Sequence, residues 1–262
     1  MTDTPAAESL SVAALAAALG PASCRFDVAV LAECGSTNSL LLEKAEQGAP
    51  SGTVIVAERQ TAGRGRLGRQ WFSEPGASLT FSLLWRLPPG SSPSGLSLAV
   101  GVALAEALET KGIGGLALKW PNDLLRDGKK LAGVLIELVP GTPHAAVIGV
   151  GLNLHLPEAM PDEMHAIAAT LPADVSPNDL LARMLVSLQA ALMEFGNGGF
   201  VGLRERWLAR CDHVDKPVRI VSEFAPPLEG RCIGVDVDGA LMVETAVCIQ
   251  RILSGDVSLR PA

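Results

Sequence analysis

Thr53-Val54-Ile55-Val56-Ala57-Glu58 reads as a strand, and the residues that leave it decide what kind of sheet it joins: Thr61-Ala62-Gly63-Arg64-Gly65-Arg66-Leu67-Gly68-Arg69-Gln70-Trp71-Phe72-Ser73-Glu74-Pro75-Gly76. Gly63-x-Gly65-x-x-Gly68 matches the dinucleotide-binding fingerprint letter for letter, but that fingerprint has to open a helix. Here the chain runs through Pro75-Gly76 into a second strand, Ser78 to Arg86. A P-loop fails as well, because Arg69-Gln70 stand where Lys and Ser/Thr are needed. What remains is a long flexible loop between two strands, carrying Arg64, Arg66 and Arg69. Its glycines allow the backbone close to a ligand. Its arginines are permanently charged planar forks suited to phosphate, and Trp71 adds a flat face for a ring or base. A solvated basic turn is the alternative.

Outward from this loop, residues 1–27 read as a short helix and an approach segment, and Val28 to Glu33 as a strand. Asn38 to Gln47 reads as a helix with Ser36 or Thr37 available as its N-cap. Leu96 to Glu109 is a further helix; Leu116 to Trp120, Lys130 to Val139 and Ala145 to Leu156 are strands. Ser176-Pro177 opens a helix reaching about Phe195, and Phe200 to Arg210 another. After Asp212 the pattern becomes one of short strands, Pro217–Ser222, Glu229–Val237 and Ala240–Val247, with Asp238-Gly239 as a hairpin turn. The expectation is an α+β chain: a mixed, helix-flanked sheet over residues 28–212, then a small β domain over 213–262.

Composition supports a folded chain: 48% hydrophobic and 19% charged residues, with only 4% aromatics and no Tyr, so the core is built from Ala, Val, Leu and Ile. The net charge of −7 argues against a protein that coats DNA. Five cysteines without a CxxC pair suggest reduced thiols. Neither a signal-peptide n-region nor a membrane-length apolar run is evident, so a cytoplasmic protein with no membrane partner is expected.

Two further segments carry chemistry. In Lys119-Trp120-Pro121-Asn122-Asp123, Pro121 ends a strand and Asn-Asp is ordinary turn chemistry, but Lys119 and Asp123 also stand at a sheet rim, where an Mg²⁺–phosphate ligand could sit. In Lys129-Lys130-Leu131-Ala132-Gly133-Val134-Leu135-Ile136-Glu137 a lysine enters an apolar strand with a glycine near its start, which suggests close approach of a ligand or backbone; an exposed strand end is the alternative.

These segments, with Gly35-Ser36-Thr37-Asn38 and Gly149-Val150-Gly151-Leu152-Asn153, resemble the biotin protein ligase family in order and spacing. The resemblance covers about residues 28–260. It implies a class II synthetase-like catalytic fold followed by a small SH3-like β-barrel, and a two-step reaction. Biotin and MgATP give biotinyl-5′-AMP, and a lysine of a biotin carboxyl carrier protein then takes the biotin. By the same resemblance Lys130, Arg66 and Asp123 are catalytic, with Asp123 beside the metal. Ser36, Thr37, Asn38, Gln60, Gly63, Arg64, Lys130, Gly133 and Gly151 hold biotin. Arg64, Arg66, Arg69, Trp71, Asn122, Lys130 and Asn153 hold ATP or the adenylate. Read by themselves, Ser36 or Thr37 could simply cap a helix, Asn153 could be a turn residue and Trp71 a core residue. Leu67 departs from the family, which often has a basic residue there. Residues 1–27 are too few for the DNA-binding helix-turn-helix that some members carry, so a monofunctional enzyme is expected, as a monomer or a homodimer. A lipoate ligase or octanoyl transferase of the same fold is the rival.

Overall fold

The computed structural model describes residues 9–222, 226–253 and 257–261. Helix α1 (Val12–Leu19) starts where the Ser11 hydroxyl accepts from the Ala14 amide. Strand β1 (Asp27–Cys34) leads to α2 (Thr37–Glu46), and β2 (Thr53–Gln60) to β3 (Ser78–Arg86) across the arginine–glycine loop. Then come α3 (Leu96–Glu109), β4 (Leu116–Lys119), β5 (Asp123–Arg126), β6 (Lys129–Val139) and β7 (Thr142–Asn153). Helices α4 (Asp162–Ile167), α5 (Pro177–Gly198) and α6 (Val201–Leu208) precede β8 (Pro217–Ser222), β9 (Leu228–Val235), β10 (Leu241–Glu244), β11 (Ile249–Ile252) and β12 (Val257–Pro261).

Strands β1 to β7 form one sheet in the order β1-β2-β3-β7-β6-β5-β4. Only β1 and β2 pair in parallel, so the sheet is mixed. Strands β8 to β12 form a separate five-stranded antiparallel sheet. The expected fold class stands: a helix-flanked mixed sheet followed by a small β unit.

Strand alternation divides β7 between two jobs. Ala146, Ile148, Val150 and Leu152 enter the main core with α3 and α5. The opposite face carries Val147, packed against Leu41 of α2, and then Gly149, Gly151 and Asn153. Side chains vanish from that face at Gly149 and Gly151, which opens space on the sheet beside α2.

Two sequence expectations are corrected. Of the expected Asn122-Asp123 turn, Asn122 lies in the 120–122 turn that joins β4 to β5, while Asp123, paired with Lys119, already begins β5. A second turn, unassigned from sequence, joins β5 to β6 at Asp127-Gly128, both in the left-handed region (φ 50° and 77°), as a two-residue hairpin turn requires. Helix α4, and strands β11 and β12, had no counterpart in the periodic pattern.

The two sheets are joined through the 210–212 segment. Leu118 donates to the Arg210 carbonyl (2.7 Å) and accepts from the Asp212 amide (2.9 Å), which covers the edge strand β4. The buried Trp120 indole donates to the Gly239 carbonyl across the same junction (3.1 Å). Trp120→Phe should therefore cost about 1–3 kcal/mol by stranding that carbonyl, read as a lower urea midpoint. An unchanged midpoint would show that the bond contributes nothing to the junction.

Candidate functional site

A cavity of about 630 Å³ opens on the glycine face of the sheet. It is lined by Ser36, Thr37, Asn38, Gln60, Arg64, Arg66, Arg69, Trp71, Asn122, Asp123, Lys130, Gly133, Gly151 and Asn153, fourteen of the fifteen residues singled out from sequence. The fifteenth, Gly63, does not line it. Its amide plane packs on the Trp71 backbone, with the Gly63 carbonyl accepting from the Trp71 amide at 3.0 Å. A Cβ on Gly63 would sit 2.4 Å from the Trp71 carbonyl oxygen, so this glycine shapes the loop.

One end of the cavity is polar. Gln60 Oε1 accepts from the Thr37 amide (2.8 Å) and the Thr37 hydroxyl (3.2 Å). Ser82 Oγ bridges Thr37 Oγ1 (2.8 Å) and Asn38 Oδ1 (2.6 Å). Ser36 occupies the N-cap position of α2, but its side chain makes no cap bond. Asn38 sits where a side chain on residue 149 would be: a Cβ there would lie 2.2 Å from Asn38 Oδ1. Glu137 Oε2 accepts from Asn38 Nδ2 (2.8 Å) and from Arg64 Nη2 (2.9 Å). This carboxylate ties the floor of the pocket to the loop above it.

The other end is built on Trp71. Gly133 and Gly151 are cross-strand partners, and the indole lies over them. A Cβ on Gly151 would come within 2.2 Å of Trp71 Cε2, and one on Gly133 within 3.4 Å of Cζ3. The Trp71 Nε1 and Asn153 Oδ1 atoms are buried without a hydrogen-bond partner, so both are open to pairing with a polar ligand. The Asn153 amide is held by donation to the carbonyls of Lys130 (3.3 Å) and Ala169 (3.1 Å).

Between the two ends stands Lys130. A register shift between β5 and β6 pairs Leu124 with Ala132 but Leu125 with Lys130, skipping Leu131. Simple alternation would send residues 130 and 133 to opposite faces; the extra residue restores Lys130 to the face of Gly133, as bulges commonly re-aim side chains. A Cβ on Gly133 would lie 3.2 Å from Lys130 Nζ. That ammonium is 2.7 Å from Asp123 Oδ1 and 5.8 Å from the centre of the Trp71 ring. Lys129, one residue earlier, is exposed and outside the cavity. Arg66 Nη1 donates to Asn122 Oδ1 at 3.1 Å, which draws the loop toward the turn before Asp123.

Several lining residues were not found from sequence. Met160, Met164, Ile167 and Ala168 come from the stretch around α4, and Asp212, His213 and Arg260 from the far end of the chain. Burial lowers the Lys119 pKa from its usual value; Asp123 opposes that shift, while Arg260 and Lys130 add to it. Burial likewise lowers the His213 pKa, against the pull of Asp212. The pocket is thus rich in positive charge, with the carboxylates Asp123 and Asp212 set in it. Among the described residues no cluster of three or more His, Cys, Asp or Glu side chains is placed to hold a metal on its own, so a cation here needs a ligand that brings oxygens. Asp123 suits such a cation, because Mg²⁺ often binds one or two carboxylates and completes its shell with phosphate oxygens.

Residues 31–153 match the biotin/lipoate A/B protein ligase family, and residues 213–260 match the biotin protein ligase C-terminal domain. The bifunctional ligase/repressor BirA of Salmonella typhimurium is 38% identical over 90% of this chain and 75% of its own length. The biotin–[acetyl-CoA-carboxylase] ligase of Mycobacterium tuberculosis is 32% identical over 87% of each chain. Among solved structures, the biotin protein ligase of Aquifex aeolicus in complex with biotin and ATP superposes with a TM-score of 0.80 at 31% identity, covering 90% of this chain and 99% of that one. From these matches along both sheets, the chain belongs to the biotin protein ligase family and is a ligase.

Proposed function

We propose that this enzyme makes biotinyl-5′-AMP from biotin and MgATP and transfers the biotin to a lysine of a biotin carboxyl carrier protein. The observation that carries the reading is the arrangement around Lys130: its ammonium stands between a polar slot at Thr37, Asn38 and Gln60 and an indole face with unpaired polar atoms at Trp71 and Asn153. A ureido ring needs paired hydrogen bonds, which the slot offers, and an adenine needs a flat face with polar partners, which Trp71 and Asn153 offer. Ser36 completes the biotin side; Gly133 and Gly151 seat the indole on the nucleotide side, which Arg64, Arg69 and Asn122 complete.

In the first step the biotin carboxylate attacks the α-phosphorus and pyrophosphate leaves. Two anions meet, so cations must offset their repulsion most strongly in the transition state. Lys130 is aimed at that point, with Asp123 fixing its position. Mg²⁺, held by Asp123 and the nucleotide's own phosphate oxygens, would supply further charge neutralisation. Arg260 and Lys119 extend the positive lining toward the leaving group, so residues from 213 onward serve a pocket built mainly by residues 28–212. In the second step the carrier lysine amine attacks the acyl carbon, and AMP leaves with the electrons of the broken anhydride bond. We place the reaction in the cytoplasm, where ATP is at hand.

The first step is tested by biotin-dependent exchange of labelled pyrophosphate into ATP. Exchange that needs biotin and is not supported by lipoate agrees with the reading; exchange with lipoate alone overturns it. The loop has its own test. Arg66 should retain the adenylate until the carrier arrives, so Arg66→Gly should speed adenylate release by roughly tenfold to a hundredfold, the cost of losing a charge-assisted hydrogen bond. Bystander lysines should then become biotinylated. A slow off-rate with labelling confined to the carrier would show that Arg66 has another role.

A further inference from the structure

We infer that Glu74 is a positioning residue that holds the α4 wall of the pocket against the root of the arginine–glycine loop, and so sets affinity for the nucleotide. The inference rests on the nucleotide reading of the Trp71 end given above.

Glu74 follows Trp71 by three residues, where the loop turns into β3. Its backbone is fixed: the Glu74 carbonyl accepts from the amides of Ala77 (3.1 Å) and Ser78 (3.2 Å). Just before it, Ser73 Oγ accepts from the Gln60 amide (2.7 Å). Its side chain reaches a distant stretch. Oε2 accepts from the Glu158 amide (2.9 Å) and Oε1 from the Ala159 amide (3.0 Å). Two successive backbone N–H groups closing on one carboxylate form a charge-assisted clamp, stronger than a neutral pair.

The clamped stretch is the entry to α4. The Pro157 carbonyl accepts from the Met160 amide (3.1 Å), and His165 Nε2 lies 3.1 Å from the same oxygen. At the far end the Ala169 amide donates to the Lys130 carbonyl (2.8 Å), and Asn153 Nδ2 donates to the Ala169 carbonyl (3.1 Å). The wall is thus pinned at both ends, by Glu74 at the start and by Lys130 and Asn153 at the finish. Between the pins, Met160, Met164 and Ile167 face the pocket. Met164 and Ile167 are 38% and 62% exposed, a poor arrangement for apolar side chains unless a ligand covers them. Helix α4 has six residues and packs little, so it does not hold this position alone. Glu74 connects the piece carrying Trp71 to the piece carrying these side chains, so the two walls of the slot are set together.

The test compares wild type with Glu74→Ala and Glu74→Gln. Hydrogen exchange of the ligand-free protein should show the amides of 158–168 opening on the order of tenfold faster in Glu74→Ala. The KM for ATP should rise on the order of tenfold, with the KM for biotin and the melting temperature little changed. Glu74→Gln keeps one acceptor oxygen and should fall between. In a Met164→Ala/Ile167→Ala background the Glu74→Ala change should add little to the ATP effect, because both act through one wall. Unchanged exchange in Glu74→Ala overturns the clamp. Faster exchange with an unchanged KM for ATP, an equal rise in both KM values, or full additivity with the wall substitutions overturns the positioning role. Wild-type protein that makes no adenylate would remove the nucleotide reading instead; the exchange measurement uses no ligand and separates the two failures.

Discussion

Replacing Lys130 with Ala should slow adenylate formation by roughly a hundredfold, about 3 kcal/mol of transition-state stabilisation. The ammonium is held by Asp123 at 2.7 Å and stands on a bulged strand between the two ends of the pocket. Its aim is therefore fixed before the ligands arrive, which is what lets a cation favour the transition state over the ground state. The fold should survive, because Lys130 and Asp123 line an open cavity and neither is fully buried. Supplied with preformed biotinyl-5′-AMP, the variant should transfer biotin far better than it adenylates. Lys129→Ala is the control, since that side chain is exposed and outside the cavity. Stopped-flow or single-turnover adenylation decides the matter: a crippled Lys129→Ala beside a normal Lys130→Ala would mean that the wrong lysine has been assigned.

The second large effect is expected from a single methyl group. Gly151→Ala places a carbon within 2.2 Å of Trp71 Cε2, with Cζ2 and Nε1 also closer than 3.0 Å. Real contacts are never that short, and the other side of Gly151 is a β-strand paired on both edges. The indole is the part that can move, so it should swing off the sheet and the nucleotide should lose its stacking face. Stacking of a base on an aromatic ring is worth about 1–3 kcal/mol, which predicts a rise in the KM for ATP of roughly tenfold to a hundredfold. Biotin binding by calorimetry should change only a few-fold, because the Thr37–Gln60 slot is left intact. Equal losses for biotin and ATP would show that the two ends of the cavity are not separate subsites.

How much of this was legible in the sequence depends on what carried the signal. The loop was readable because glycine and arginine are informative one residue at a time, and Trp71 because the segment after it runs into a strand. The hydrophobic runs of β2, β3, β6 and β7 announced the sheet. The turn at Pro121-Asn122 was readable, but the β5–β6 hairpin was missed although Asp127-Gly128 is a strong turn pair, because the four-residue β5 between the two turns shows too little alternation to announce itself. The bulge that aims Lys130 leaves no mark in composition, since it arises from pairing with β5. Glu137 stood in a quoted motif without a role, because its partners, Asn38 and Arg64, are 99 and 73 residues away. Helix α4 is short, with scattered apolar residues, and becomes a wall only when pinned by Glu74, Lys130 and Asn153. Asp212, His213 and Arg260 reach the pocket because the 210–212 segment joins the edge of β4, a tertiary event that no local pattern records.

One pocket is expected both to activate biotin with ATP and to pass it to a carrier lysine. The most direct measurement is the intact mass of an apo biotin carboxyl carrier domain after incubation with this enzyme, biotin, ATP and Mg²⁺. The expected result is the gain of one biotinyl group, dependent on ATP, absent when the carrier's target lysine is replaced by arginine, and not replaced by a lipoyl group when lipoate is offered in competition. A carrier whose mass stays unchanged, under conditions where another biotin ligase modifies it fully, would show that this enzyme does not biotinylate such carriers.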